Sequence, residues 1–239
     1  MKFLIIGDSW GVGEWRLTND TRGCVSIPNT GLDFYLKKFG HTVNNLSYGG
    51  EGNFGQLRYA CHKLMTENSD YDYIIWFHTE PVRDIVQFVL NQVEAGQQQY
   101  PNIQGKSFVD AMQYVNLCNY QYAQREIFER FDIPFIVIGG VGKLDHTIDN
   151  FAFAQIKIYS WLKELLALDS VPHNFLKYDG VDAVYDYLKP NGIEQVLTEI
   201  ERGEALQDLT KDHVNFPDGM HPRRTEFEKL ANRILNMLK

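Results

Sequence analysis

Short apolar runs alternate along the chain with longer stretches whose apolar residues recur at helical spacing. A run of consecutive aliphatic and aromatic residues has no polar side to offer water, so it reads as a strand buried on both faces. Such strands alternating with amphipathic helices are the pattern of a parallel sheet covered on both sides. Strands are predicted at Lys2–Ile6, Thr42–Leu46, Tyr73–Phe77 and Phe135–Ile138, with a fifth near Val171–Leu176. Helices are predicted at Gly31–Phe39, Asn53–Glu67, Phe108–Phe131, Ile156–Leu168, Ile193–Arg202 and Arg224–Leu238. The expected architecture is an α/β fold of three layers, α/β/α, with a doubly wound, flavodoxin-like parallel sheet, in one domain over residues 1–239. Two segments fit this plan poorly: Trp10–Thr30, rich in Gly, Thr, Asn and charge, and Asn91–Gly105, which carries Gln97-Gln98-Gln99. They are read as insertions near 10–30 and 81–105, and loops beyond strand ends are where open α/β sheets bind ligands.

Charge narrows the partners. With 23 Lys and Arg against 31 Asp and Glu the net charge is −8. That repels phosphate backbones and anionic membrane surfaces, so nucleic acid is not an expected partner. No apolar run approaches the roughly 20 residues that span a bilayer, so membrane insertion is not expected either. The run Met1–Ile6 stops at Gly7-Asp8 and reads as a strand rather than a signal peptide. Cys24, Cys61 and Cys118 are odd in number and lack CxxC spacing, which fits neither a disulfide framework nor a zinc site; they read as small apolar residues in a cytoplasmic protein. His41, His62, His146, His173 and His213 have no partner at metal-ligand spacing, and no metal or organic cofactor is expected.

The chemistry concentrates at the two ends of the chain. Gly7-Asp8-Ser9-Trp10-Gly11 follows the first strand directly and puts a hydroxyl at its carboxyl end. The same residues match G-x-S-x-G, the nucleophile elbow of α/β-hydrolases, but that fold builds several strands before its elbow and only one precedes Ser9. Gly-Asp-Ser also serves as an ordinary helix cap. Near the other end Asn215-Phe216-Pro217-Asp218-Gly219-Met220-His221-Pro222 is a Pro- and Gly-marked loop. Its Asp218 and His221, three apart, are spaced for a carboxylate to hold one imidazole nitrogen while the other faces outward. A serine hydroxyl is a weak nucleophile at neutral pH and needs such a base.

GDS after the first strand and DxxHP before the last helix are the outer signature blocks of the SGNH (GDSL-like) hydrolases, which the chain resembles from end to end in block order. The resemblance implies an esterase with Ser9 as nucleophile, His221 as base and Asp218 as its orienting partner. Asn45-Leu46-Ser47-Tyr48-Gly49-Gly50 resembles the second block, which implies that the N–H of Gly50 joins that of Ser9 in an oxyanion hole. The third block, GxND in the family, reads Phe77-His78-Thr79-Glu80-Pro81 here. The donor asparagine is missing; either Thr79, His78 or Arg83 substitutes or the enzyme is slow or specialised, and an ionised Glu80 would repel an oxyanion. Trp10 and Trp15 are expected to line an acyl or sugar pocket, and His78, Glu80 and Arg83 to meet substrate. The same residues serve an acyltransferase, and the altered third block is what a non-catalytic module on this fold would carry.

Overall fold

The computed structural model describes residues 1–17, 24–67, 70–79, 84, 106–140, 154–167 and 213–239, with the backbone alone at 24 and 106–118. Five strands form one parallel sheet: β1 (Lys2–Ile6), β4 (Thr42–Asn45), β5 (Tyr73–His78), β6 (Phe135–Gly139) and β7 (Ala154–Ile158). Their spatial order is β4-β1-β5-β6-β7. Numbered along the chain this is 2-1-3-4-5, the flavodoxin-like doubly wound order, whose ligand crevice opens beyond the carboxyl ends of the first and third strands. Here those strands are β1 and β5.

The alternation of side chains along each strand divides the core in two. Phe3, Ile5, Ile75, Phe77, Ile136 and Ile138 face α2 (Leu32–Lys38), α5 (Trp161–Leu166) and α6 (Arg224–Met237), while Leu4, Ile6, Ile74, Trp76, Phe135 and Val137 face α3 (Asn53–Thr66) and α4 (Lys106–Phe131). Burial on both faces is why these strands are continuous apolar runs. The closing helix α6 buries Phe227, Leu230, Ala231 and Ile234, a stripe at i, i+3, i+4 and i+7. Among the described residues no helix is long and apolar enough to cross a membrane.

One expected element is corrected. Ile156–Leu168 is not a single helix: Ala154–Ile158 pairs with β6 as the outermost described strand, and α5 starts after Ser160. The Ser160 hydroxyl accepts the Lys163 N–H at 3.2 Å and caps that helix. The polar Gln155 and Lys157 of this strand are tolerated because an outer strand buries only part of its surface. The first insertion contains a four-residue helix α1 (Ser9–Val12) and an antiparallel pair, β2 (Trp15–Leu17) with β3 (Cys24–Ser26). The strand expected at Val171–Leu176, the helix expected at Ile193–Arg202 and the second insertion, Asp84 apart, lie outside the described residues.

Candidate active site

Ser9 sits where β1 ends and α1 begins. Asp8 caps α1, its Oδ1 accepting the Trp10 N–H at 3.0 Å. As the first residue of the helix, Ser9 has an N–H with no carbonyl partner within α1. The flanking glycines are there for space. A Cβ on Gly7 would lie 2.8 Å from the Cβ of Phe77, and one on Gly11 would lie 2.3 Å from the Ser47 hydroxyl. The Gly7–Gly11 segment is therefore pressed against the ends of β5 and β4, and G-x-S-x-G here answers to close packing. Asn45 and Tyr48 fix the same approach: Asn45 Nδ2 donates to the Gly11 carbonyl at 2.9 Å, and the Tyr48 N–H donates to that of Gly7 at 3.0 Å.

The Asp218–His221 loop has the expected pairing. His221 Nδ1 lies 2.6 Å from Asp218 Oδ2, and Asp218 Oδ1 accepts the N–H groups of Met220 at 2.9 Å and His221 at 2.7 Å. The Asp218 side chain is fully buried. Burial pushes its carboxyl up, but the His221 ring, that ring's charge and the two N–H groups outweigh burial and hold it below the usual carboxylate range. An ionised Asp218 only accepts, which assigns the proton to Nδ1 and leaves Nε2 as the basic nitrogen.

Trp15 joins the two ends of the chain. Its indole N–H donates to the Ser9 carbonyl at 3.0 Å, and its ring stacks on His221 with centroids 4.8 Å apart and planes 22° from parallel. The far edge of the indole lies 3.2 Å from where a Cβ on Gly49 would stand. One side chain thus touches the Ser9 backbone, the imidazole and the Gly49-Gly50 turn. Gly50 has φ = +80°, a conformation that side chains rarely adopt, so glycine there is required by the turn rather than by crowding.

Trp10 and His78 differ from expectation. Trp10 is 1% exposed and packs edge-on against Trp161 and tilted against Phe216, so it is core and not pocket lining. The helical turn at α1 rotates it inward, away from the neighbouring Ser9. Trp10→Ala is expected to cost about 3–5 kcal/mol in urea unfolding; a substrate contact would raise KM and leave stability alone. His78, also 1% exposed, packs on Trp76 and Tyr120. Burial lowers its pKa to about 3, so the ring is neutral and offers an anion a single N–H rather than a positive charge. Glu80 and Arg83 lie outside the described residues.

Thr79 follows β5 and is held by a residue that sequence reasoning missed. Asn53, at the start of α3, accepts the Thr79 N–H at 3.0 Å and donates to its carbonyl at 2.8 Å. An asparagine does reach the end of the third sheet strand, but from α3 and with its amide occupied. The Thr79 hydroxyl is buried and has no hydrogen-bond partner among the described residues. Asp84 caps α3 from outside, accepting the N–H groups of Asn53 at 3.1 Å and Phe54 at 3.3 Å together with the Tyr120 hydroxyl. Burial pushes the Asp84 carboxyl up from 3.8 to about 6 against those bonds. An acid with a higher pKa folded than unfolded binds its proton more tightly when folded, so the contribution of Asp84 to stability is full below pH 3.8 and is lost as pH rises through 6. In urea unfolding from pH 3.5 to 7.5, the stability of wild type relative to Asp84→Asn is expected to fall by on the order of 3 kcal/mol.

No known family model matches the chain, and no curated protein matches it. Solved structures similar to it include Est24, a carbohydrate acetylesterase from Sinorhizobium meliloti, at 11% identity and TM-score 0.44 over 99% of this chain and 97% of that one. The native aryl esterase of M. smegmatis is similar at 11% identity and TM-score 0.44, with 99% of each chain covered. A catalytic mutant of Axe2, an acetylxylan esterase from Geobacillus stearothermophilus, is similar at 14% identity and TM-score 0.36, covering 99% of this chain and 93% of that one. Likeness this distant carries no argument about the site, which stands on the chain's own residues.

Proposed function

We propose that the protein is a serine hydrolase of the SGNH type that cleaves a carbohydrate O-acetyl or short-chain acyl ester through Ser9, His221 and Asp218. The observation that carries this reading is the buried 2.6 Å pair of Asp218 with His221, bridged by Trp15 to the Ser9 backbone. A solvated surface histidine needs neither the fully buried carboxylate nor the stacked indole.

In the proposed reaction His221 Nε2 takes the Ser9 proton as Oγ attacks the ester carbonyl, and Asp218 stabilises the imidazolium. The N–H groups of Ser9 and Gly50 hold the oxyanion, with the Thr79 hydroxyl as third donor. Leaving a hydroxyl buried without a partner costs about 1–3 kcal/mol, and an oxyanion at the strand end would supply the missing acceptor. His221 returns the proton to the departing alcohol. It then takes one from the water that attacks the acyl-serine, and the acid leaves with Ser9 restored. No step needs a metal or an organic cofactor. The groove lined by Leu46, Ser47 and Tyr48 after β4 and by Tyr59, His62 and Lys63 of α3 offers aromatic faces to an acyl chain or a sugar ring. Glu80 and Arg83 remain the proposed contacts to polar parts of the substrate.

The test is turnover of p-nitrophenyl acetate and butyrate, with and without an added acceptor alcohol. Release of the free acid is the expected result. Transfer of the acyl group to the alcohol in preference to water would make the protein an acyltransferase on the same residues. Folded protein with no turnover would favour a non-catalytic module.

A further inference from the structure

Glu14 and Trp15 are consecutive, and each reaches across to the other end of the chain. The Glu14 carboxylate accepts the backbone N–H of Arg224 at 2.5 Å, its Nη2 at 2.9 Å and its Nε at 3.3 Å. Arg224 is the first residue of α6 and stands three positions after His221. The N-cap of that helix, Arg223, makes no side-chain capping bond, so the cap is supplied by Glu14 from more than 200 residues away in sequence. A carboxylate at a helix N-terminus also meets the positive end of the helix dipole. The Glu14 backbone is itself tied down, its N–H donating to Thr30 Oγ1 at 3.0 Å and its carbonyl accepting the Ile27 N–H at 2.8 Å. Trp15 adds the hydrogen bond to the Ser9 carbonyl and the stack on His221.

We propose that Glu14 and Trp15 are positioning residues, a two-residue bracket that sets the place of the His221 ring relative to Ser9. This rests on the triad reading. Asp218 fixes the imidazole within its own loop, but both lie on a segment that only a long stretch of intervening chain connects to Ser9, and proton transfer is sensitive to displacements near 1 Å. The bracket grips that segment at two points, the ring itself and the helix that follows it. A stacked indole also blocks the ring from swinging off the Ser9 side while Nδ1 stays bonded to Asp218.

The experiment compares wild type with Trp15→Leu, Trp15→Phe and Glu14→Gln by steady-state kinetics, thermal unfolding and the NMR signal of the His221 Nδ1 proton. Trp15→Leu is expected to lower kcat by about 10²-fold with KM nearly unchanged. Trp15→Phe, which keeps an aromatic face but loses the N–H and part of the indole's reach, should recover part of that loss. Glu14→Gln should lower kcat by about 10-fold. In Trp15→Leu the Nδ1 proton signal should broaden. If the variants lose thermal stability while kcat per folded molecule stays at the wild-type value, the two residues are merely structural and the proposal is overturned. Wild type with neither turnover nor reaction of Ser9 with a fluorophosphonate would instead sink the triad reading. In that case a Nδ1 proton signal unchanged in both Trp15 variants overturns the bracket, and a broadened one upholds the positioning of the ring.

Discussion

Replacing Ser9 by alanine is expected to lower kcat for p-nitrophenyl acetate by about 10⁶-fold, the scale on which a triad loses its nucleophile. Stability should hardly change, because the hydroxyl makes no hydrogen bond among the described residues that the fold relies on. What the segment does rely on is the Asp8 cap, the glycines at 7 and 11, and the Asn45 and Tyr48 bonds, and alanine leaves all of them in place. Measured together, kcat and the urea midpoint separate a lost nucleophile from a lost fold. A decline in rate that tracked a decline in stability would contradict the assignment.

The second large effect belongs to Asp218. Asp218→Asn keeps the size of the side chain and its Oδ1, so the N–H groups of Met220 and His221 retain an acceptor. The amide NH2, however, would face Nδ1 as a donor. That forces the imidazole proton onto Nε2, the nitrogen that must be free to accept from Ser9, and removes the charge that stabilises the imidazolium. A loss of about 10⁴ in kcat is expected, with KM little affected. A loss under tenfold would mean that the carboxylate is only a turn-former. Because the folded Asp218 pKa is depressed, its contribution to stability is full above the ordinary carboxylate value and is lost as pH falls through the folded one; Asp218→Asn should flatten that acid limb.

Three of the five sheet strands, β1, β5 and β6, can be read from the sequence because they are buried on both faces, which leaves uninterrupted runs such as Phe3–Ile6 and Ile136–Ile138. β7 escapes for the opposite reason. It is half buried, its pattern Ala154-Gln155-Ile156-Lys157-Ile158 leads straight into Trp161–Leu166, and together the apolar positions imitate one long helix. Ser160 is the local signal that marks the boundary, since a serine just before a helix-period run is a cap.

The reading of the site divides in the same way. Ser9, Asp218 and His221 stand out because their local contexts, a strand end and a Pro-Gly loop, are written in neighbouring residues. Trp10 and Trp15 look alike in sequence, two tryptophans in a polar stretch. Contacts with Trp161 and Phe216 put one in the core, and contacts with Ser9, Gly49 and His221 put the other across the site. Those contacts join the first 15 residues to segments far along the chain, so no local pattern encodes them. Asn53 and Glu14 were missed for the same reason: each reads as a helix-start or loop polar residue, and each spends its side chain on a partner distant in sequence.

The most direct test of the account is reaction of the folded protein with a fluorophosphonate, followed by peptide mapping of the adduct. One adduct on Ser9 in wild type, with none in Ser9→Ala and strongly slowed formation in Asp218→Asn, is the predicted result. No adduct in folded wild type, or an adduct on a serine other than Ser9, would contradict it.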